Sequence, residues 1–285
     1  MIQNDFSKNP EAFLIKKIKE FVRKSPENLF HKIDKEPIFK EPLVGYADGK
    51  DPLFKSYKSI IGSFHLTPYE VISKLAPKAF ADNLSVICWV LPASEKTKES
   101  NRAEKIYPSK RWAHTRFYGE DLNISLRKYV ISILNEHGYT GIAPFITELF
   151  EVKNDTSVGI ASTWSERHIM YAAGLGTFSL SDGFITEKGK AMRCGSVVTN
   201  LKLTPTRRKY KSHTENCLFF SKGVCGECIK RCPAGAISEN GHDKKKCKVY
   251  NYEVILKPLQ EKYGVKEVGC GLCQTGVPCE SKIPL

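Results

Sequence analysis

The chain has no run of eighteen apolar residues, and its start, MIQNDFSKNPEAFLIKKIKEF, has no short apolar core ending in a small-residue cleavage site and no twin arginine. These absences argue against a membrane span and against export, so a soluble, cytoplasmic protein is expected. There is no internal repeat of solenoid length and no low-complexity linker, which argues against a stacked array. Basic charge is present, but no aromatic-interleaved RNA motif accompanies it. Cysteine is scarce over most of the chain: only Cys88 and Cys194 lie in the first 216 residues, whereas eight fall between 217 and 279.

With 285 residues, 41% of them apolar, the chain can bury a large core as one domain or two. Forty-four basic against thirty-one acidic side chains give a net charge of +13. That excess suits an acidic partner such as RNA, an acidic protein or a phosphorylated cofactor. Anionic metal clusters within the chain would absorb part of it without any partner, at about two charges each. The basic runs KKIK (16–19), RRKYK (207–211) and DKKKCK (243–248) are scattered.

Local pattern gives a mixed α+β chain. Residues 9–24 read as an amphipathic helix with Asn9 as N-cap, Pro10 in the first turn, and Leu14, Ile18, Phe21 and Val22 on one side. Residues 84–92, LSVICWVLP with its first position at 84, read as a buried strand that makes Cys88 a core thiol. Helices are expected at 122–137, ending at Gly138, and at 163–173, ending at Gly174. The segments 42–54 and 63–70 have the Gly, Pro and Asp density of ordered loops. After Cys217, short loops and two brief helical stretches, Ala234–Ser238 and Lys248–Tyr263, are expected. The polar, basic and unpatterned TPTRRKYKSHTEN places a boundary near 205–216. The expected architecture is therefore an α/β/α cofactor-type domain over 1–205, with helices and loops over 1–80, followed by a ferredoxin-like domain over 206–285.

In a cytoplasmic protein, clustered cysteines indicate metal rather than disulfides. The run Cys217-x7-Cys225-x2-Cys228-x3-Cys232-Pro233 resembles the bacterial ferredoxin pattern, in which three cysteines hold one [4Fe–4S] cluster and the cysteine before proline reaches the other. Two clusters are then expected. Cys217, Cys225, Cys228 and Cys279 are assigned to the first, and Cys232, Cys247, Cys270 and Cys273 to the second. Gly226, Gly269 and Gly271 suit backbone that must bend closely round a cluster corner. Two tetrahedral zinc sites are the competing reading, since CxxC pairs serve zinc as well.

CGECIKRCPAGAIS (225–238), KKKC (244–247) and GCGLCQTGVPC (269–279) resemble the paired-cluster region of the epoxyqueuosine reductases, relatives of the corrinoid-dependent reductive dehalogenases. SERHIMYAAGLGTFSLS (165–181), CGSVVTNLKL (194–203) and RFYGEDLNISLRKYV (116–130) resemble segments that this family carries upstream. The likeness covers roughly residues 80–282. It implies a corrinoid (cobalamin) in the α/β domain, with Gly174 and Gly176 allowing close backbone approach and Gly195 and Ser196 meeting its tail or phosphate. The sequence also departs from the family. Ile160 stands where the family has an aspartate general acid, and Thr177 replaces a tryptophan. Tyr118, Glu166, His168 and Asp182 are the remaining proton-donor candidates.

Three functions follow. The first is a corrinoid- and iron–sulfur-dependent reductase of a small or nucleoside-like substrate, supplied by a low-potential electron donor. The second is an electron-transfer or activating protein that reduces a partner, such as a corrinoid protein. The third is a tRNA-modifying enzyme acting on queuosine, for which RNA binding would depend steeply on salt.

Overall fold

The computed structural model describes residues 2–79 and 82–285. Two helices open the chain, α1 (Ile2–Lys8) and α2 (Pro10–Lys24). The side chain of Asn9 accepts a hydrogen bond from the Ala12 amide at 2.9 Å, and Pro10 occupies the first turn, as expected. An edge strand follows, β1 (Leu43–Asp48), within a segment expected to be a loop. Its Gly45 lies so close to the following layer that a Cβ would come within 2.7 Å of Leu175 Cδ2; the glycine is a packing residue, not a turn signal. Helices α3 (Pro52–Ile60) and α4 (Pro68–Leu75) start at capped ends, Thr67 and Glu70 forming a reciprocal capping box on α4. Strand β2 (Ser85–Pro92) is buried at every residue, matching the expected strand.

Helix α5 (Glu95–Arg102) leads to the long α6 (Lys110–Glu136). The expected helix began at 122, twelve residues too late. Ser109 caps the true start by accepting from the Trp112 amide, and Gly119 in its middle leaves room for Phe39, whose Cζ would lie 2.6 Å from a Cβ there. Strand β3 (Gly141–Ile142) and the hairpin of β4 (Val152–Thr156) and β5 (Gly159–Ser162) come next. Helix α7 (Glu166–Ala172) starts later than expected because Thr163 is held as extended chain against Glu151 and Leu149. It ends at Gly174 with φ +69°, the left-handed C-cap that the sequence suggested. Strands β6 (Gly176–Phe178), β7 (Phe184–Thr186) and β8 (Met192–Thr199) complete this part.

The main sheet has the order β1-β2-β8-β3 and every pairing is antiparallel. Side chains alternate across it. Ile87, Trp89 and Leu91 of β2 join α2 and α6 in one core, while Val86, Cys88 and Val90 join α3, α4 and α7 in another. Helices therefore cover both faces, and the chain is a mixed helix-and-strand protein with an α/β/α sandwich. Each fully buried Leu, Ile or Val in these layers contributes about 1.5–3 kcal/mol.

Beyond residue 216 come α8 (Leu218–Lys222), α9 (Glu227–Lys230), the small hairpin β9 (Ile237–Ser238) and β10 (Gly241–His242), α10 (Lys244–Val249) and α11 (Leu256–Tyr263). The stretch 234–238 is not helical: Gly235 turns at φ +57° and Ile237 enters the hairpin with its side chain buried. The second expected helix starts earlier, at Lys244, because Asp243 caps it. This region is fastened to the first. Arg231 donates to the carbonyls of Asn101 and Glu104 on one side and of Leu272 and Thr275 on the other. The backbone amides of Lys190 and Ala191 bond the carbonyls of Cys279 and Glu280. No helix among the described residues is long and apolar enough to cross a membrane.

Candidate redox site

All ten cysteines are free thiols. Eight of them gather at two cavities. Cys217, Cys225, Cys228 and Cys279 line the first, a space of about 20 Å³ that also touches Lys190. Tight turns form its rim: Gly226 has φ +102°, and Cys225 adopts φ +95°, a conformation costly for a residue with a Cβ. Cys225 is exposed, whereas Cys217 and Cys228 are buried.

Cys232, Cys247, Cys270 and Cys273 line the second cavity, of about 270 Å³. Two left-handed glycines press this loop onto α6. A Cβ at Gly269 (φ +64°) would meet Arg116 Cγ at 2.9 Å, and one at Gly271 (φ +59°) would meet the Trp112 ring at 2.1 Å. The sulfurs receive donors: the Ala236 amide reaches Cys232 Sγ at 3.3 Å and Asn251 Nδ2 reaches Cys247 Sγ at 3.5 Å. Burial, reinforced by neighbouring thiols, pushes the metal-free Cys247 thiol up to about 11 and Cys270 up to about 12. Burial does the same to Cys228 at the first cavity, to about 11.

Lys190 lies between the quartets and is 1% exposed. Its ammonium donates to Ser181 Oγ at 3.2 Å, and no carboxylate among the described residues pairs with it. Burial alone would depress its pKa; once ionised to thiolates, the nearby sulfurs of Cys279, Cys273 and Cys228 outweigh this and hold it above the ordinary lysine value.

Three arginines, Arg116, Arg167 and Arg193, and His242 reach the second cavity, and no carboxylate is among the described residues lining it. The acids stand behind the wall. Glu120 pairs with Arg193 and, at 2.9 Å, with the buried Arg127, which also reaches Glu166 at 3.1 Å. Glu267 pairs with Arg116 at 2.7 Å. The charge of Arg193, together with burial, lowers the pKa of Arg116.

The other expected site residues lie elsewhere. Gly174 faces the Arg207 carbonyl, Gly176 the Ile185 carbonyl, and Gly195 the rings and amide of Trp89 and Asn123; protein atoms fill the space that each missing side chain leaves. Ser196 is buried, donating to Glu166 at 2.6 Å and accepting from Trp164 at 3.0 Å. Tyr118 bonds Lys32 and the Gly264 carbonyl. Burial holds His168 neutral, with its pKa lowered to about 3, against Ser165 and Tyr57. None of these lines either cavity. Asp182 comes nearest: its carboxylate meets His242 Nδ1 at 3.1 Å and its carbonyl accepts from Arg167 at 2.5 Å. Sequence reasoning missed Lys190, Arg116 and Arg193. The only local signals were KGKAMRC, running into Cys194, and an arginine opening RFYGED.

The chain is thus an α/β/α sandwich carrying a cysteine-rich segment with two thiol quartets. A structure of an epoxyqueuosine reductase with a tRNA-Tyr epoxyqueuosine-modified tRNA stem loop matches with a TM-score of 0.54 and 17% identity, over 96% of this chain and 66% of its own. A catabolic reductive dehalogenase matches with a TM-score of 0.50 and 15% identity, over 95% of this chain and 36% of its own. The epoxyqueuosine reductase of Francisella cf. novicida (strain Fx1) is 32% identical over 126 residues, a match spanning 42% of this chain and only 33% of that relative. No protein-family model matches. The likeness to epoxyqueuosine reductases, first read from the cysteine run, therefore stands in sequence over 126 residues and in fold, and the likeness to a reductive dehalogenase stands in fold.

Proposed function

We propose that the chain is an iron–sulfur reductase that holds two [4Fe–4S] clusters and acts on a molecule bound beside the second. The observation that carries this reading is the division of eight free cysteines into two quartets, one per cavity, with a buried lysine between them. Four thiols round a cavity suit a cubane with an iron at each of four corners. Cys232 directly before Pro233, beside a quartet to which it does not belong, is the iron–sulfur arrangement rather than that of two tetrahedral zinc sites. When bound, such clusters supply one-electron transfer at low potential. The residues do the rest: exposed Cys225 marks the side open to a low-potential donor, and Lys190 offsets anionic charge between the quartets. On this reading residues 206–285 form a ferredoxin-like unit, fastened to an α/β unit over 1–205.

The corrinoid implied by family resemblance does not fit the residues expected to hold it. Protein atoms occupy the space at Gly174, Gly176 and Gly195, and Ser196 spends its hydroxyl on Glu166 and Trp164. The second cavity, shared with a cubane, is already at the low end of the volumes that take a drug-sized ligand. A second reading, action on tRNA, draws on the +13 charge and on the solved relative with its stem loop; steep loss of RNA binding with salt is its mark.

Anaerobic reconstitution tests the main reading. The wild-type chain should take up about eight irons with matching sulfide, and Cys232→Ala and Cys279→Ala should each lose about four, from different clusters by EPR. Retention of about eight irons by both variants would refute the assignment of ligands.

A further inference from the structure

The two cavities offer the same four-thiol donor set but very different space, about 20 Å³ against about 270 Å³. If each takes one cubane, the first is filled and the second has room for something more. What surrounds that room is one-sided in charge. Arg116, Arg167 and Arg193 line it with His242, the described lining residues include no carboxylate, and Trp112 and Tyr250 supply flat apolar walls. Arg193 Nε is buried and has no hydrogen-bond partner among the described residues, although its far nitrogen is tied to Glu120. A guanidinium presents its donors in a planar fork that matches carboxylate and phosphate oxygens, so a cavity lined by three of them is suited to an oxyanion.

We propose that this cavity is a binding site for a small oxyanionic ligand, a carboxylate or a phosphate ester, held by Arg116, Arg167 and Arg193 against the second cysteine quartet. The proposal rests on the two-cluster reading only for what occupies the quartet. The cationic wall and the open space belong to the protein alone. Arg193 is held from behind by Glu120 and Arg116 by Glu267, while the exposed Arg167 is tied to the Asp182 carbonyl.

The test is isothermal titration calorimetry of the reconstituted full chain at low ionic strength with inorganic phosphate and, separately, with succinate, chloride serving as the control anion. Iron and sulfide are determined on the same sample. Saturable binding of one or both oxyanions is expected, weakened about tenfold by Arg116→Gln and by Arg167→Gln, a loss in keeping with one charge-assisted hydrogen bond each. Which of the two binds more tightly separates carboxylate from phosphate chemistry. The bound anion should alter the EPR signal of the reduced Cys279→Ala protein, which keeps the second quartet, and leave that of Cys232→Ala unchanged. No saturable heat with either probe, or wild-type affinity in both arginine variants, would overturn the proposal and leave the arginines as counter-charges to the cluster. A low iron count would refute the two-cluster reading instead, while the calorimetry still decides the anion site.

Discussion

Replacing Lys190 by Met should act with opposite signs in the metal-free and the loaded protein. The substitution keeps the apolar stem and removes an ammonium that is 1% exposed, has Ser181 as its hydroxyl partner and pairs with no described carboxylate. In the metal-free chain at neutral pH, the surrounding thiols are protonated, because burial pushes groups such as Cys228 up to about 11. The charge is then buried without a counter-ion, at an effective cost of several kcal/mol, so Lys190→Met should stabilise that form by about 2 kcal/mol. For a chain of 285 residues this is about 3 °C in Tm. In the loaded protein the same ammonium faces anionic centres on both sides. At an effective dielectric constant of 20, one charge acts with about 4 kcal/mol at 4 Å and about 2 kcal/mol at twice that distance. Its loss should lower both reduction potentials by about 90 mV, taking 59 mV for each tenfold change of a one-electron couple. Thermal melts of the metal-free chain and EPR-monitored redox titrations of the loaded one would measure the two effects. If the variant destabilises both forms equally, or moves the potentials by less than about 20 mV, the lysine is a packing residue and the electrostatic account fails.

Arg127→Met should cost about 3–5 kcal/mol in urea unfolding, since it strands the buried Glu166 and leaves Glu120 with Arg193 alone; adding Glu166→Gln should recover part of this, and a cost below about 1 kcal/mol would contradict the buried-pair account. Stability should also fall on acidification. Burial depresses His65 to about 4 and His168 to about 3, so both stay neutral in the folded chain while the unfolded chain takes up protons near pH 6.5. Their contribution is complete above about pH 6.5 and is lost as pH falls towards 4, at about 1.4 kcal/mol per pH unit for each histidine. Urea midpoints between pH 7 and 5 would show it, and His168→Phe should reduce the slope; a flat profile in the parent chain would refute the assignment.

Local chemistry made some parts of the molecule legible in the sequence, and long-range packing hid others. Asn9 and Pro10 announce α2 because a cap and a first-turn proline act within three residues. The cysteine spacing divides the eight thiols as the two cavities do, because the x2 spacings of Cys225–Cys228 and Cys270–Cys273 bring neighbouring thiols to one place by local chain geometry. The start of α6 was not legible: Gly119 and the aromatics around it blur the helical period, and the glycine is there for Phe39, eighty positions earlier. Strand β1 was hidden likewise, because Gly45 answers to Leu175 and not to a turn. The cationic wall draws Arg116 from a helix, Arg193 from a central strand and Arg167 from a third element, and no spacing rule links them. The glycines chosen by resemblance were read as openings for a cofactor, whereas each one admits another part of the same chain.

The joint between residues 190–191 and 279–280 ties together two events that are chemically separate. Central strand β8 begins at Met192, directly after the amides that hold the Cys279 loop, and its second residue is Arg193 in the wall of the other cavity. A disturbance of the loop at the first quartet is thereby passed along two residues of backbone to Arg193 in the wall of the second cavity. If the quartets hold the proposed clusters, the two centres are coupled mechanically as well as electrically, so oxidative injury to the outer one would register as slackened hold at the inner one even while the inner one is intact.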